Sequence, residues 1–196
     1  MINAHSAIES PSQLMSGCQI LLADGHYTAR HNKVCKYPHW KICGEMQLER
    51  TQYIWEHEPP QITSNRKVTV FYDKVIQTGR YIKDEAIKPS IVIWNKHEKT
   101  ALIIDVAVPN DYGLNRGERE KITKYQDLKN DIKTTWSFKE IYIIPVVIGA
   151  TGMVKQNLKK YIETIPEKPS CYEVQIAAIN GTCSILKRSL GYKYYL

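Results

Sequence analysis

One carboxylate, Asp105, lies inside an apolar run of residues 101–108, with Ile104 and Val106 on either side of it. A carboxylate in a buried strand is costly unless a cation, a metal ion or hydrogen-bond donors compensate its charge. One interpretation of Asp105 is a structural acid that pairs with an arginine or caps a turn. The other is a ligand for a hard divalent cation, which prefers carboxylate oxygens. A Mg²⁺ ion held there would organise a water molecule and neutralise the charge of a phosphate.

Two lysines follow this acid on residues 118–136, whose apolar side chains recur at three- and four-residue steps and predict a helix. At 100° per residue, Lys121 points into the middle of the apolar stripe and Lys124 lies at its border. A lysine on the buried face has to reach an anion, such as a phosphate at the edge of a sheet, or extend back to solvent. Glu118 and Glu120 suit the first turn, where acids complement the helix dipole.

These side chains need a rigid framework, and the apolar pattern around them predicts a β-sheet. Two apolar runs, residues 91–94 and 101–108, are separated by a polar turn and predict a β-hairpin of buried strands. Residues 68–72 alternate as a strand does. Residues 141–148 predict another buried strand, in which Pro145 indicates an edge or a bulge.

Helices are predicted on both sides of these strands in the sequence. Residues 18–47 have a helical pattern that we expect Pro38 to interrupt, and residues 153–165 and 172–190 predict two further helices. Residues 49–66 contain two adjacent prolines and predict a connector. The order of elements indicates an α/β fold, a mixed β-sheet flanked by helices with a helical N-terminal extension. The expected apolar anchors of this extension are Leu21, Leu22, Tyr27, Val34, Trp40 and Met46.

The length, composition and charge limit the classes to which the protein can belong. With 196 residues, 43% of them hydrophobic, the chain is long enough for one domain with a small N-terminal appendage. The formal net charge of +7 favours polyanionic partners, nucleic acid before anionic membrane, although many basic proteins bind no nucleic acid. No apolar run approaches the roughly 20 residues of a membrane span. Five cysteines, an odd number without close pairing, indicate reduced intracellular thiols.

Several linked motifs resemble one family. The segments KPSIVI, ALIIDVAVP, EREKITKYQDLK and IPVVIGATG are similar to the restriction-like endonuclease domain at the C-terminus of LINE-type (non-LTR) retrotransposon polyproteins. The similarity is closest to the site-specific group that inserts into ribosomal DNA repeats. Upstream, SGCQILLADGHYTARHNKV resembles the zinc-knuckle exit and the Arg-His-Asn motif of that family. The resemblance extends from about Ser16 to Leu190.

The resemblance implies a fold of the PD-(D/E)XK nuclease type and a location in the nucleus. Such a domain nicks target DNA with Mg²⁺ or Mn²⁺, and the liberated 3′ hydroxyl primes reverse transcription by an upstream RNA-directed DNA polymerase domain. That polymerase domain is not in this chain. The implied partners are DNA, element RNA and that polymerase domain, without a membrane. The expected units are a degenerate zinc-knuckle remnant (1–17), a helical N-terminal segment and connector (18–66), and the endonuclease domain (67–196).

The resemblance assigns the family's site residues to positions of this chain. Its second acid falls on Asp105, the expected metal ligand, and its basic residues fall on Lys121 and Lys124. Its first acid falls on Ser90, where a neutral hydroxyl replaces a carboxylate, so metal affinity should drop. The expected function is therefore either a nicking endonuclease or a catalytically dead nucleic-acid-binding remnant. Two acids close to this position in the sequence could compensate for the loss: Asp84 and Glu85.

The zinc-knuckle pattern is eroded in this chain. Cys18 keeps the family's final cysteine position, but Gln13 occupies that of the histidine, and His5 and Ile2 fall where two cysteines belong. Two ligands cannot hold a structural zinc ion, which takes four cysteine or histidine ligands. We therefore expect the chain to hold no zinc.

The Arg-His-Asn motif is kept. Arg30, His31 and Asn32 match the family and could contact the backbone or a base edge of a nucleic acid, because arginine and asparagine offer suitable donors. The alternative is a solvated polar patch on a helix. All three residues are expected nucleic-acid contacts.

Overall fold

The computed structural model of the protein describes residues 10–77 and 87–190. These two ranges contain seven α-helices, two single-turn 3-10 helices (Ile54–Glu56 and Asp111–Gly113) and five β-strands. The helices are α1 (Pro11–Ser16), α2 (Gln19–Ala23), α3 (His26–Glu45), α4 (Leu114–Lys124), α5 (Gln126–Thr135), α6 (Leu158–Glu163) and α7 (Cys171–Ser189). The strands are β1 (Ile62–Ser64), β2 (Val68–Tyr72), β3 (Ile91–Asn95), β4 (Thr100–Ala107) and β5 (Glu140–Val147).

Within the described ranges the strands form a single mixed sheet in the order β1-β2-β3-β4-β5. Neighbours are antiparallel except β4 and β5, which run parallel and are joined by the crossover through α4 and α5. The predicted α/β class, a mixed sheet flanked by helices with a helical N-terminal extension, is confirmed. The predicted β3–β4 hairpin is present, and β5 with its Pro145 lies at an edge of this sheet.

Both faces of the sheet are covered, which explains the nearly continuous apolar runs of β3 and β4. Alternate residues point to opposite faces and join two separate clusters. One cluster packs β2, β3, β4 and β5 against α3, α6 and α7, and includes Val34, Ile42, Ile91, Ile104, Val106 and Val174. The other packs β3, β4 and β5 against the α4–α5 region, and includes Val92, Ile103, Tyr125, Leu128 and Ile132.

The predicted helix over 118–136 is two helices in the structure. α4 begins earlier, at Leu114, and ends at Lys124, and α5 begins at Gln126. Tyr125 lies between them, is fully buried, and donates a hydrogen bond from its hydroxyl to the carbonyl of Lys88 at 3.1 Å. The apolar stripe continues through this break, because Leu128 and Ile132 pack in the same cluster as Tyr125.

Other boundaries also differ from the predictions. Only Leu158–Glu163 is helical within the predicted helix 153–165, and the predicted connector 49–66 contributes the short strand β1. Pro38 does not interrupt α3, which continues through it. An internal proline costs a helix about 3 kcal/mol. The fully buried face of α3 offsets this cost, since each buried Val or Ile side chain contributes roughly 1.5–3 kcal/mol.

Arg30 holds α3 in place among the elements that surround it. Its guanidinium donates to the carbonyls of Met15 at 2.7 Å and Val108 at 2.8 Å and to the hydroxyl of Thr182 at 3.0 Å. Gly181 of α7 makes room for this side chain, because a Cβ on Gly181 would lie 2.4 Å from Cγ of Arg30 and 3.1 Å from its Cα. The α3–α7 contact therefore requires a glycine at position 181.

Gly181→Ala tests this close approach. Alanine adds about 1 kcal/mol of helix propensity, but the clash with Arg30 should outweigh it and leave a net loss of about 1–2 kcal/mol. Gly117→Ala in α4 is the matched control, because it gains the same propensity and its Cβ meets no atom closer than 3.3 Å, in Val147. Urea unfolding measures both. A Gly181→Ala variant as stable as the control would contradict the close approach.

Glu118 connects α4 to the chain that leads into α6. It lies in the second turn of α4, not the first, and is buried. Its carboxylate pairs with the Lys155 ammonium and accepts hydrogen bonds from the amide of Asn157 and from the hydroxyl of Tyr161 at 3.1 Å. Burial raises the pKa of this carboxyl, but the donors, Lys155 foremost, lower it more, so the net shift of the Glu118 pKa is downward.

This shift predicts a pH dependence of folding. Because the folded pKa of Glu118 lies below the unfolded value of about 4.3, its contribution is present above that pH and is lost as the pH falls through the folded pKa. Wild type should therefore lose stability more steeply than Glu118→Gln below about pH 4.3, in unfolding free energies measured across a pH series. Glu163→Gln, at an exposed position of α6, should keep the wild-type slope.

Candidate active site at the β3–β4 hairpin

The register of the hairpin places Ser90 beside Asp105. Ile91 pairs with Ile104, so the residue before β3 lies opposite the next residue of β4. The backbone N–H and the hydroxyl of Ser90 both donate to Oδ1 of Asp105, at 3.2 and 2.9 Å. Ser90 Oγ accepts in turn from the backbone N–H of Val106 at 3.0 Å. Ser90 thus holds one oxygen of a buried carboxylate in a fixed position.

Lys121 supplies the charge that the buried acid requires. Its Nζ lies 2.6 Å from Oδ2 of Asp105, and the side chain of Asp105 is 4% exposed and that of Lys121 22%. The sequence predicted that Lys121 points to the buried face and reaches an anion there. In the structure this anion is Asp105 itself, so the lysine does not turn back to solvent.

Lys124 lies one turn further along α4, at the border of the site. It is half-buried, and its Nζ lies 5.0 Å from the centroid of the Tyr125 ring. Burial is the main cause of the raised pKa of Tyr125, and the nearby negative charge of Asp105 is the next. The phenol is therefore neutral near pH 7 and can donate a hydrogen bond.

The three residues of the Arg-His-Asn motif go to different places. Arg30 is buried and its guanidinium is hydrogen-bonded inside the protein, so the predicted nucleic-acid contact of Arg30 does not fit the structure. His31 lies at the site, with Nε2 3.0 Å from Oγ of Ser90. Asn32 is exposed, with Oδ1 3.2 Å from Nδ1 of His31. The motif joins α3 to the hairpin through its histidine.

The contacts of Ser90 indicate which ring nitrogen of His31 carries a proton. A serine hydroxyl has one hydrogen, and here it points to Asp105 Oδ1. The contact between His31 Nε2 and Ser90 Oγ is therefore donated by the imidazole. A chain of donors thus leads from α3 through His31 and Ser90 to Asp105. Cys35 lies behind this chain, with Sγ 3.5 Å from Nε2 of His31, and burial foremost raises the pKa of its thiol.

Asp73 is an acid at this site that the sequence reasoning missed. Tyr72 pairs with Ile91, so Asp73 and Ser90 are also neighbours, and the Asp73 N–H donates to the Ser90 carbonyl at 2.9 Å. The Asp73 carboxylate is 47% exposed and pairs with Lys88 at 2.7 Å. Its position directly after an apolar strand was the available signal. The two acids that could compensate for Ser90, at positions 84 and 85, lie outside the described residues.

Asp73, Ser90 and Asp105 therefore form a row across three adjacent strands. The row carries two carboxylates, and each pairs with one lysine, Lys88 or Lys121. Carboxylate oxygens are the ligands that a hard divalent cation prefers. Two carboxylates and two ammonium groups therefore lie at this end of the sheet.

The region that resembles a zinc knuckle has structural roles where it is described. Gln13 and Ser10 form a capping box at the start of α1, each side chain bonding the backbone of the other. Cys18 is buried and packs with Leu21 and Ile185. The two other knuckle positions, 2 and 5, lie outside the described residues.

Comparisons with known proteins give no family for this chain. No protein-family model matches it, and no curated protein is significantly similar to it. Across residues 10–77 and 87–190, no helix has the length and apolar character needed to cross a membrane.

Ser90→Ala tests the hydrogen-bond network without changing its charge. The change removes the hydroxyl donor to Asp105 and leaves the buried Val106 N–H without its acceptor, which should cost about 1–3 kcal/mol of unfolding free energy. Ser189→Ala, at an exposed position of α7, removes only a hydroxyl bond to the Ile185 carbonyl and should change stability by less than about 0.5 kcal/mol. Equal losses in the two variants would contradict the role given to Ser90.

Proposed function

We propose that the chain is a metal-dependent DNA endonuclease domain of the restriction-like type, acting in the nucleus as part of a retrotransposon polyprotein. The nick that it makes in target DNA would prime reverse transcription by an upstream polymerase domain. The observation that supports this proposal is the Asp105–Lys121 pair, an acid and a base held together at the end of a rigid hairpin. The positive net charge of +7 is of the sign that DNA requires.

Asp105 and Asp73 would hold the cation. Oδ1 of Asp105 is oriented by Ser90, while Asp73 is half-exposed and can turn toward the site. Mg²⁺ or Mn²⁺, when bound, supplies a polarised water and neutralises charge on the scissile phosphate. We expect this site to bind the cation more weakly than a site with carboxylates on two neighbouring strands, because Ser90 lies between Asp73 and Asp105.

The lysines would act on the phosphate. With a cation as counterion of Asp105, the Lys121 ammonium becomes available to donate to a non-bridging phosphate oxygen or to the attacking water. Lys124, at the border of the site, would contact the DNA backbone as a point charge. Ser90 and His31 would keep the Asp105 carboxylate oriented.

The second candidate is a nucleic-acid-binding remnant without catalysis. Ser90 favours it, since a single buried carboxylate already neutralised by Lys121 has little affinity left for a metal ion. In this case the basic surface would bind DNA, or the RNA of the element, through its phosphates. The fold would be kept while the chemistry is lost.

Nicking of supercoiled plasmid with Mg²⁺ or Mn²⁺ tests the first candidate. Asp105→Asn should abolish nicking, because a neutral amide holds a divalent cation poorly, and Lys121→Ala should reduce it by roughly 10²-fold or more. Asp127→Asn, at an exposed position of α5, is the matched control and should nick as wild type does. Folding of each variant is checked by circular dichroism. Nicking by wild type that survives Asp105→Asn would rule out this site.

Ser90→Asp separates the two candidates. In chelator, a second carboxylate beside Asp105 should lower the melting temperature by like-charge repulsion, and Mg²⁺ or Mn²⁺ should restore it. A variant that nicks more than wild type would identify an endonuclease weakened at this position. If neither protein nicks and both shift DNA on a gel with a steep salt dependence, the binding remnant is supported. The absence of DNA binding at low salt would count against both candidates.

A further inference from the structure

A second cluster of ligand-type side chains lies on α3, away from Asp105. His39 and Cys43 are four residues apart on this helix, and His57 follows the 3-10 turn Ile54–Glu56. His39 Nδ1 lies 2.8 Å from His57 Nε2 and 3.7 Å from Cys43 Sγ. One ligand atom from each of the three residues lies within 4.8 Å of the other two. Three side chains from two chain segments therefore converge on one point.

All three side chains are buried, with 0%, 0% and 2% of their surface exposed for His39, Cys43 and His57. Burial foremost, with His57 contributing, lowers the pKa of His39 to about 3, and burial foremost also lowers the pKa of His57. Both imidazoles are therefore neutral near pH 7, the form in which histidine binds metals. Burial raises the pKa of the Cys43 thiol to about 11, so a metal ion would have to displace its proton.

We propose that His39, Cys43 and His57 form a Zn²⁺ site. Two imidazole nitrogens and one thiolate sulfur are ligands that zinc prefers and that Mg²⁺ does not. Tetrahedral zinc with its usual bond lengths places two nitrogen ligands about 3.3 Å apart, and a nitrogen and a sulfur about 3.6 Å apart. The observed N–S distance of 3.7 Å agrees, and the two nitrogens need to separate by about half an ångström from 2.8 Å.

A water molecule would be the fourth ligand. Within the part of the chain that the structure describes, the cluster contains only these three ligand-type residues. His57 borders a polar surface cleft lined also by Glu49, Arg50, Thr63 and Ser64, which gives an ion and its water access from solvent. Three protein ligands and a water are a known arrangement for zinc.

The zinc ion would connect the segment between α3 and β1 to α3. This segment contains little regular structure, and His57 is its buried histidine in contact with the helix. The site differs from the eroded knuckle near the N-terminus, and it lies about 12 Å along α3 from His31, eight residues away at 1.5 Å each. The proposed zinc site therefore does not depend on the proposed nuclease function.

The zinc content of the purified protein tests the proposal directly. The full chain is purified under reducing conditions, saturated with ZnSO₄, dialysed against metal-free buffer and assayed by mass spectrometry. We expect about one zinc per chain in wild type, and at least about a tenfold lower content in Cys43→Ser and His57→Ala. Cys183→Ser and His97→Ala, at exposed positions, are the matched controls and should keep the wild-type content. Asp105→Asn should keep it too, even if nicking is lost.

Cobalt substitution keeps the test decisive if a variant does not fold. Wild type loaded with Co²⁺ should show the intense visible bands of tetrahedral cobalt and a near-ultraviolet thiolate-to-cobalt charge-transfer band. Folded Cys43→Ser should lose the charge-transfer band. A wild-type chain that retains no zinc, or that gives only the weak spectrum of octahedral cobalt, would overturn the proposal, as would equal zinc content in wild type and the folded Cys43→Ser variant.

Discussion

The neutralisation of Asp105 is the constraint on which the rest of the structure depends. Asp105 lies on an interior strand of a sheet that is covered on both faces. Its charged carboxylate therefore needs hydrogen-bond donors and a counter-charge from within the protein. The hairpin register supplies the donors through Ser90, and α4 supplies the charge through Lys121. α4 packs against β5 and brings this ammonium to the acid, while the apolar stripe continues past Tyr125 into α5 on the same face of the sheet.

Helix α3 carries a stripe of alternating histidine and cysteine, at positions 31, 35, 39 and 43, along its buried side. One end of this stripe contacts the oxygen-rich row of Asp73, Ser90 and Asp105, and the other end meets His57. The two ends offer different donors, oxygen at one and nitrogen with sulfur at the other.

Much of the fold could be predicted from the sequence, because its signal is local. The β3–β4 hairpin follows from two apolar runs and a polar turn, and the inward direction of Lys121 follows from the helical period alone. The break at Tyr125 and the continuity of α3 through Pro38 could not be predicted, since both depend on packing against the sheet that overrides local preference.

The contacts of the site were harder to predict for a related reason. His31 reaches Ser90 over 59 positions of the chain, and His39 reaches His57 over 18. No period or spacing connects such residues, so their proximity appears only once the register and the helix packing are known. Arg30 shows the converse case: its motif suggested a surface contact, and its surroundings make it a buried structural residue. Asp73 was missed because its neighbour Ser90 is close to it across the sheet, 17 positions later in the sequence.

Serine at position 90 makes the hairpin independent of a metal ion. Two carboxylates at positions 90 and 105 would carry more negative charge than Lys121 can balance, and such a pair is stable only when a cation is bound or one acid is protonated. With serine, one lysine balances one acid, and the hydroxyl satisfies both Asp105 Oδ1 and the Val106 N–H. A serine at this position therefore stabilises the hairpin without a metal ion. Asp105, Lys121 and Ser90 together therefore balance charge and hydrogen bonds at this end of the hairpin within the protein itself.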